Sequence, residues 1–361
     1  MNKVYIERMT IQMKANQLDA MLIVPSDELR MMIGIKPLLC ERFQGLFVKS
    51  DGDYFYFCNL LSGDEVQEIL GDEKVFTWFD NDSFTVVLKD LMIKQELIGK
   101  TIGVNGTARA FNIKRIEEAM EITFVDGKGI IEQLNMIKNQ EELQGLREAS
   151  KKADEVMKKA ILFIQPGMSE KNIVDFIENS FMNRGCVPDF ALVASGPNSA
   201  LPHYAGTERI IMEKDIVLMD IGAKFKGFSS DTTRTIFVGE PSEKMKEVYE
   251  LVYRANQKGE MVSEIGTPVG EVDRAAREVI VSGGYGLFFT TRLGHGIGYS
   301  THEEPYINQV NNKILSPGMA FTIEPGIYLR NQFGIRIEDT VIMTETGLEI
   351  LNHVEKTIIV I

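Results

Sequence analysis

The segment IVLMDIGAKFKGFSSDTTRTIFVG, residues 216–239, decides how the second half of this chain folds. Two runs rich in β-branched and aromatic residues flank KFKG, residues 224–227, as in a β-hairpin. Pairing that is symmetric about this four-residue turn places Asp220 directly opposite Asp231. Directly opposed residues share one face of a sheet, with Cβ atoms about 5 Å apart. Two carboxylates so close in otherwise apolar strands repel each other and lose water, so the pattern favours a bound cation.

A second segment, AFTIEPGIYLRNQFGIRIEDTVIMT at residues 320–344, repeats this arrangement. Two β-prone runs flank a turn around RNQFG, residues 330–334, and pairing centred on Asn331 places Glu324 opposite Glu338. One such pair of acidic residues could be accidental, whereas two in the same part of the chain indicate a functional site.

Three of the four histidines lie in contexts that favour a functional role. In RLGHGIGYSTHEEP, residues 292–305, alternating glycines surround His295 and let the backbone pass close to a bulky or charged group. His302 follows in the same segment. His203 lies in the loop SGPNSALPHYAGT, and loops commonly carry functional groups.

The remaining candidate groups have ordinary interpretations. We interpret His353 as a satisfied surface or core residue and Cys186 as a small buried residue rather than a nucleophile. Three cysteines are too few and too scattered for a disulfide framework or a thiolate zinc site, which favours a reducing compartment. The chain contains neither GxSxG nor HExxH.

Four carboxylates and one imidazole together form an oxygen-rich set of candidate metal ligands: Asp220, Asp231, Glu324, Glu338 and His295. Two divalent ions would balance the four negative charges. Such ligands suit Mn²⁺ best, and Co²⁺, Zn²⁺ or Fe²⁺ are alternatives. Two ions that share carboxylates lower the pKa of the water between them and clamp the attacked oxygen. The residues themselves therefore indicate metal-assisted hydrolysis.

The composition is that of an ordinary globular protein: 361 residues, 44% hydrophobic and 25% charged, a length that suggests two domains. The net charge of −13 argues against binding to nucleic acid or to an anionic membrane surface. The chain shows neither a signal-peptide core nor an apolar run of about 20 residues. We therefore expect a cytoplasmic protein.

Helix and strand patterns predict two domains of different class. Residues 1–128 alternate short helices and strands, which predicts an α/β domain, and they contain no histidine. Residues 129–361 predict an α+β domain. Within it, a long amphipathic helix runs from the N-cap Asn139 to about Phe163, and further helices begin at Ser169, Ser242 and Thr267.

These motifs resemble those of the two-domain Xaa-Pro peptidases, prolidase and aminopeptidase P, of the pita-bread metallopeptidases. The resemblance covers the chain from about residue 130 to its end and is carried by LPH, MDIGAKFKGFSSDTTRT, GHGIG…HEEP, IEPGIY and GIRIEDT. The first part of the chain is similar only in its α/β pattern. The resemblance implies an α+β pita-bread (creatinase/aminopeptidase) catalytic domain after a smaller creatinase-type α/β domain, two divalent ions per subunit, and a homodimer.

The resemblance also implies a role for each candidate ligand. Asp231 and Glu338 would bridge the two ions, Asp220 would complete the coordination of one, and His295 with Glu324 that of the other. Glu324 would in addition accept a proton from the bridging water.

Four further residues would act around these ligands. His203 and His302 would orient the substrate and donate hydrogen bonds to its carbonyl or to the tetrahedral oxyanion. Arg336 would hold Glu338 in place, and Thr233 would support the same group of ligands.

The implied activity is hydrolysis of the Xaa-Pro bond by a metal-bridging water, and the implied substrates are small proline-containing peptides. We favour a dipeptidase because the chain is short; an aminopeptidase P acting on longer peptides is the alternative. A creatinase-like or non-catalytic relative would lack carboxylate ligands, and none is missing. Tyr299-Ser300-Thr301 and Tyr204 depart from the residues of many relatives and bear on substrate length and side-chain preference.

Overall fold

The computed structural model describes all 361 residues, which form two compact units, Met1–Leu134 and Asn135–Ile361. The predicted border after residue 128 falls at the start of a helix, Lys128–Met136, whereas the division of contacts falls near its end. In that helix the carbonyl of Leu134 accepts a hydrogen bond from Arg8 Nη2 at 2.8 Å, so most of it belongs to the first unit. None of the helices combines the length and the apolarity that a bilayer span requires.

The first unit is a six-stranded mixed sheet with helices, as the α/β pattern predicts. Its helices are α1 Lys3–Ala15, α2 Asp27–Ile33, α3 Gly63–Leu70, α4 Phe84–Lys94, α5 Ala110–Ala119 and α6 Lys128–Met136. Its strands are β1 Ala20–Ile23, β2 Gly45–Lys49, β3 Tyr54–Asn59, β4 Val75–Trp78, β5 Lys100–Val104 and β6 Ile122–Asp126, in the order β4-β3-β2-β1-β5-β6. Buried aromatic and aliphatic side chains such as Phe47, Phe55 and Leu88 form its core.

The second unit contains four long helices and three sheets. Its helices are α7 Gln140–Phe163, α8 Glu170–Met182, α9 Glu243–Val262 and α10 Val269–Ser282. Its strands are β7 Val187–Ser195, β8 Ile216–Phe225, β9 Phe228–Ser229, β10 Thr232–Phe237, β11 Gly294–Gly296, β12 Glu303–Ile307, β13 Ala320–Ile323, β14 Gly326–Leu329, β15 Phe333–Arg336, β16 Asp339–Thr344 and β17 Gly347–Ile350. The sheets have the orders β10-β8-β7 (with β9 paired to β8), β12-β11-β13-β16-β17, and β14-β15.

Each pair of helices packs on one of the larger sheets. Helices α7 and α8 share an apolar core with the first sheet that includes Met157, Ile177 and Met219. Helices α9 and α10 share another with the second sheet, which includes Val252 and Phe321. The acidic residues therefore lie within or directly beside strands of sheets that helices cover on the opposite face.

The predicted helix starts are confirmed except for one. Asn139 and Ser169 each form a capping box, and Ser242 Oγ accepts a hydrogen bond from a backbone N–H in the first turn of α9. Thr267 does not cap α10, because the N-cap is Pro268. A residue before proline avoids the helical region, and the Thr267 carbonyl is already used by the N–H of Leu315.

The first hairpin has a shorter turn than predicted. Phe225 pairs with Phe228, which leaves only Lys226 and Gly227 in the turn, and both have positive φ, 52° and 90°. Two consecutive residues of positive φ suit the right-handed twist of a two-residue hairpin. The four-residue turn KFKG predicted over residues 224–227 is therefore wrong.

This shorter turn changes the partner of Asp220. The strand β10 pairs Thr233, not Asp231, with Asp220. Because side chains alternate, a shift of two residues keeps every side chain on its predicted face. Asp231 lies between β9 and β10, two residues before Thr233.

The second hairpin has the predicted register on both sides of an interruption. The strands β14 and β15 pair Gly326 with Arg336, and β13 and β16 pair Ile323 with Asp339. Glu324 and Glu338 lie in the interruption between these two ladders.

An isolated antiparallel bridge between Thr233 and Glu338 joins the two hairpins, with the N–H of Glu338 donating to the Thr233 carbonyl at 3.1 Å. Because Thr233 also pairs with Asp220, this bridge brings the two groups of acidic residues together.

Candidate metal centre

Nine residues are predicted to bind metal, to support its ligands or to orient the substrate. All nine lie in or beside one cavity of about 560 Å³ in the second unit. Eight of them line it: Asp220, Asp231, His295, Glu324, Glu338, His203, His302 and Arg336. Thr233 lies directly behind this wall, where its hydroxyl contacts Glu338.

Three of the predicted ligands form a buried cluster. Ligand atoms of Asp231, His295 and Glu338 all lie within 4.8 Å of one another. Their residues are 4%, 3% and 1% exposed, so these polar atoms are almost completely removed from bulk water. His295 Nε2 also lies 3.3 Å from Oε1 of Glu324 and 3.6 Å from Oδ2 of Asp231.

Asp220 lies on the same cavity wall with one oxygen engaged and one without a partner. Its Oδ2 accepts a hydrogen bond from Arg336 Nη2 at 2.6 Å. Its Oδ1 is buried and has no hydrogen-bond partner. A buried carboxylate oxygen without a donor is costly, and a cation in the cavity would satisfy it.

Arg336 orients Asp220 directly, and it reaches Glu338, the carboxylate that it is predicted to hold in place, only through Thr233. Its guanidinium donates from Nε to Thr233 Oγ1 at 3.1 Å, from Nη1 to Tyr328 Oη at 2.8 Å, and from Nη2 to Asp220. The Thr233 hydroxyl in turn donates to Glu338 Oε2 at 2.7 Å. Arg336 thus reaches Glu338 through Thr233, because the hairpin register places Thr233 between Asp220 and Glu338.

The carboxylates of the cluster destabilise one another's charged forms. Burial raises the pKa of Asp231 well above its ordinary value, and the charges of Glu338, Asp220 and Glu324 raise it further. Burial, followed by Glu324 and Asp220, raises the pKa of Glu338 in the same way. A positive ion in the cavity would favour the ionised forms of Asp231 and Glu338.

The pKa of Glu324 is shifted in the opposite direction to those of Asp231 and Glu338. Burial acts to raise its pKa, but a hydrogen bond from His295 and the charges of His295 and Arg336 outweigh burial and lower it. Divalent cations that prefer oxygen ligands with an occasional imidazole fit this set of donors.

Two histidines lie on the cavity side of the cluster. The ring of His302 lies 4.2 Å from the ring of His295, measured between centroids, and both His302 and His203 are exposed to the cavity. Two separate loops therefore each contribute one imidazole to the cavity wall.

The glycines around His295 serve the close approach that the sequence predicts. A Cβ at Gly294 would overlap the carbonyl of Thr322, and a Cβ at Gly296 would overlap that of Glu304. Only glycine lets the short strand β11 pass between its neighbours and carry His295 into the cluster.

Several residues of the cavity wall were not predicted from the sequence, among them Tyr328 and Arg292. Tyr328 lines the cavity and receives the Nη1 hydrogen bond of Arg336. Its position could have been predicted from strand alternation. Gly326 pairs with Arg336, and Tyr328 lies two residues further along on the same face of the hairpin. Arg292 also lines the cavity, with its guanidinium 4.5 Å from the ring centroid of Tyr306, and no spacing pattern marked it.

The two residues given ordinary interpretations lie outside the cavity. Cys186 is a buried free thiol whose pKa is raised, mainly by burial. His353 is exposed and does not line the cavity.

Comparison with known proteins identifies both units. Residues 144–345 match the model of metallopeptidase family M24, and residues 6–137 match the creatinase/prolidase N-terminal domain. The Xaa-Pro dipeptidase of Pyrococcus furiosus is 37% identical over 263 residues, which are 72% of this chain and 76% of the relative.

Solved structures give the same assignment. The prolidase of Thermococcus sibiricus matches with a TM-score of 0.95 at 32% identity over 100% of both chains. The X-Pro aminopeptidase of Thermotoga maritima matches with a TM-score of 0.84 at 28% identity over 99% of both chains. The predicted fold class, a pita-bread domain after a smaller α/β domain, is confirmed. This chain belongs to metallopeptidase family M24, and a creatinase/prolidase N-terminal domain precedes its peptidase domain.

Proposed function

We propose that this protein is an Xaa-Pro dipeptidase that binds two divalent ions in the cavity of its second unit. The observation that carries the proposal is the convergence of four carboxylates and one imidazole on that cavity, with Asp220 Oδ1 buried and without a partner. Similarity to an Xaa-Pro dipeptidase and to a prolidase supports the choice of substrate.

Within this proposal each ligand keeps the role that the family resemblance implies. Asp231 and Glu338 would be shared by the two ions, Asp220 would help to hold one of them, and His295 and Glu324 would help to hold the other. The mutual approach of Asp231, His295 and Glu338 within 4.8 Å supports a shared centre. Arg336 and Thr233 keep Asp220 and Glu338 in position through their hydrogen bonds.

Manganese is the proposed metal, and Co²⁺, Zn²⁺ or Fe²⁺ are alternatives. Four of the five ligands are hard carboxylate oxygens and none is a thiolate, which suits Mn²⁺ better than a metal that prefers sulfur.

The residues around the cavity have separate roles in hydrolysis. When bound, the two ions polarise the scissile carbonyl and lower the pKa of a water molecule, which supplies the nucleophile. Glu324, whose carboxylate lines the cavity beside His295, would accept a proton from the attacking water. His203 and His302 donate hydrogen bonds toward the substrate carbonyl as negative charge develops on its oxygen.

The cavity also suits a substrate whose scissile amide lacks an N–H group. Proline removes the donor that general peptidases use to grip an extended backbone, and it fixes φ. Recognition through the polarised carbonyl needs no such donor. Phe190 and Leu192 supply apolar wall against which a pyrrolidine ring can pack.

Aminopeptidase P activity on longer peptides is the second candidate, favoured by the similarity to the X-Pro aminopeptidase of Thermotoga maritima. A paired assay decides between the two. Protein stripped with chelator and resupplied with Mn²⁺ is offered an Xaa-Pro dipeptide and an Xaa-Pro-Xaa tripeptide at equal concentration. Cleavage of the dipeptide alone supports the proposal, preference for the tripeptide supports the second candidate, and no cleavage of either contradicts both.

We also propose that the protein is a cytoplasmic homodimer. Its three cysteines are free, which suits a reducing compartment. The dimer rests on the family resemblance, and light scattering coupled to size-exclusion chromatography measures the mass that tests it.

A further inference from the structure

The residue that follows His203 is tied to a buried carboxylate outside the metal centre. The hydroxyl of Tyr204 donates a hydrogen bond to Glu170 Oε2 at 2.8 Å and accepts one from Asn198 Nδ2, also at 2.8 Å. Tyr204 itself lines the cavity. Neither Glu170 nor Asn198 does, so this network connects the cavity wall to the protein interior.

Glu170 is a rigid point of attachment. It is 0% exposed and lies in the first turn of α8, where a carboxylate interacts favourably with the helix N-terminus. Its Oε1 accepts hydrogen bonds from the backbone N–H of Ser195 at 2.6 Å, from Ser195 Oγ at 2.8 Å and from Asn198 Nδ2 at 3.1 Å. Oε2 is the oxygen that Tyr204 engages.

His203 lies at the tip of a tight turn that ends at Tyr204. The N–H of Tyr204 donates to the carbonyl of Leu201 at 3.1 Å, which closes a four-residue turn with Pro202 and His203 at its centre. No protein group forms a hydrogen bond with the His203 ring. The position of that ring therefore depends on the backbone of the turn, and the side chain of Tyr204 anchors the end of the turn.

The loop after Tyr204 is fitted to this contact. A Cβ at Gly206 would overlap the Tyr204 hydroxyl, so the chain doubles back closely over the phenol. Burial, together with the hydrogen bond to Glu170, raises the pKa of Tyr204 to about 12, which keeps the hydroxyl protonated and able to donate.

We infer that Tyr204 is a positioning residue: its hydroxyl, held by Glu170 and Asn198, fixes the turn that presents His203 to the cavity. The inference rests on the proposed function, in which His203 donates a hydrogen bond to the substrate carbonyl. Because this bond strengthens as charge develops, misplacement of His203 lowers kcat more than it changes KM.

The test is Tyr204→Phe, which removes the hydroxyl and keeps the ring on the cavity wall. Glu170 still accepts three hydrogen bonds in this variant, so we expect the protein to fold. We expect kcat for an Xaa-Pro dipeptide to fall about tenfold with KM changed by less than about twofold. Tyr285→Phe is the matched control, since the Tyr285 hydroxyl lies outside the cavity, 3.4 Å from Glu247; its kinetics should equal those of the wild type.

A double-mutant cycle shows whether Tyr204 acts through His203. If it does, Tyr204→Phe lowers kcat in the wild-type background but has no further effect in His203→Ala. Equal effects in both backgrounds, or wild-type kinetics in Tyr204→Phe, would overturn the inference.

A spectroscopic readout separates this inference from the proposed function. The chain has four histidines, so its imidazole NMR signals are few, and His203→Ala identifies the signal of His203. In Tyr204→Phe loaded with diamagnetic Zn²⁺, this signal should move or broaden relative to the Zn²⁺-loaded wild type, while that of His353 stays in place. An unchanged His203 signal would overturn the inference even in an active enzyme, whereas failure of the wild type to cleave the dipeptide would contradict the proposed function.

Discussion

Arg336 Nη2 lies 2.6 Å from Oδ2 of Asp220, and this contact leaves the other oxygen of the same carboxylate buried and without a partner. The arginine fixes the orientation of the aspartate, whose side chain lines the cavity that we assign to the metal ions. Asp220 is thus already oriented before any ion arrives, which lowers the cost of binding.

The first prediction concerns this orientation. Arg336→Lys removes the planar fork that binds Thr233, Tyr328 and Asp220 together, because an ammonium group cannot reproduce its geometry. We expect the affinity for Mn²⁺ to fall by about 10- to 100-fold, the range typical of groups that orient metal ligands. Isothermal titration calorimetry measures it. Arg254→Lys, on the exposed face of α9, should bind Mn²⁺ like the wild type.

The second prediction concerns the hydroxyl of Thr233. Thr233→Val keeps the size of the side chain but removes the donor to Glu338 Oε2, so the affinity for Mn²⁺ should decrease about tenfold. Thr233→Ser retains the hydroxyl and should restore most of the affinity. Equal affinities in the valine and serine variants would show that the hydroxyl does not hold Glu338.

The third prediction concerns the charge of the cluster. Glu338→Gln should abolish Mn²⁺ binding and reduce activity by more than about 100-fold, since it removes a ligand rather than a group that supports one. The metal-free variant should nevertheless melt no lower than metal-free wild type, because Glu338 is repelled by Glu324 and Asp220.

Differential scanning fluorimetry with and without Mn²⁺ measures this effect. Added metal should raise the Tm of the wild type, since ligands that bind only the folded state stabilise it, and should leave the Tm of Glu338→Gln unchanged. Glu345→Gln, an exposed carboxylate of the same unit, should respond to metal like the wild type. Full activity in Glu338→Gln would refute the assignment of the centre.

The fourth prediction separates metal-assisted hydrolysis from thiol catalysis. Burial raises the pKa of the Cys186 thiol, and it raises that of Cys58 to about 12, so neither forms a thiolate near neutral pH. Cys186→Ala should therefore retain full activity. Native protein treated with iodoacetamide should be modified first at Cys40, the least buried of the three, as measured by peptide mass spectrometry. Loss of activity in Cys186→Ala would contradict this account.

The sequence predicted which residues meet at the site, but not all of the contacts between them. Pairing centred on Asn331 gave the correct register, because Leu329 pairs with Phe333 and the turn has only three residues, 330–332, rather than the predicted 330–334. The register placed Glu324 and Glu338 together. The register predicted about residues 224–227 was wrong by two residues, because Lys226 and Gly227 form a shorter turn. The error did not separate the acidic residues, since a shift of two preserves the face of a strand.

The relation between the two hairpins was beyond what local patterns contain. The bridge between Thr233 and Glu338 joins strands more than 100 residues apart, and no alternation or turn signal specifies which strands meet. For this reason the sequence predicted that Arg336 holds Glu338, two residues on, but not that its guanidinium also binds Asp220. Helix caps at Asn139, Ser169 and Ser242 were predictable because capping depends on a few neighbouring residues.

The central claim is that five side chains hold two ions on which activity depends. Its most direct test is a titration of chelator-stripped protein with Mn²⁺, in which bound metal and the rate of Xaa-Pro dipeptide cleavage are measured on the same samples. We predict no activity without metal and a plateau of both quantities at two ions per chain. Activity that survives complete removal of metal, or a plateau at one ion or fewer, would contradict the account.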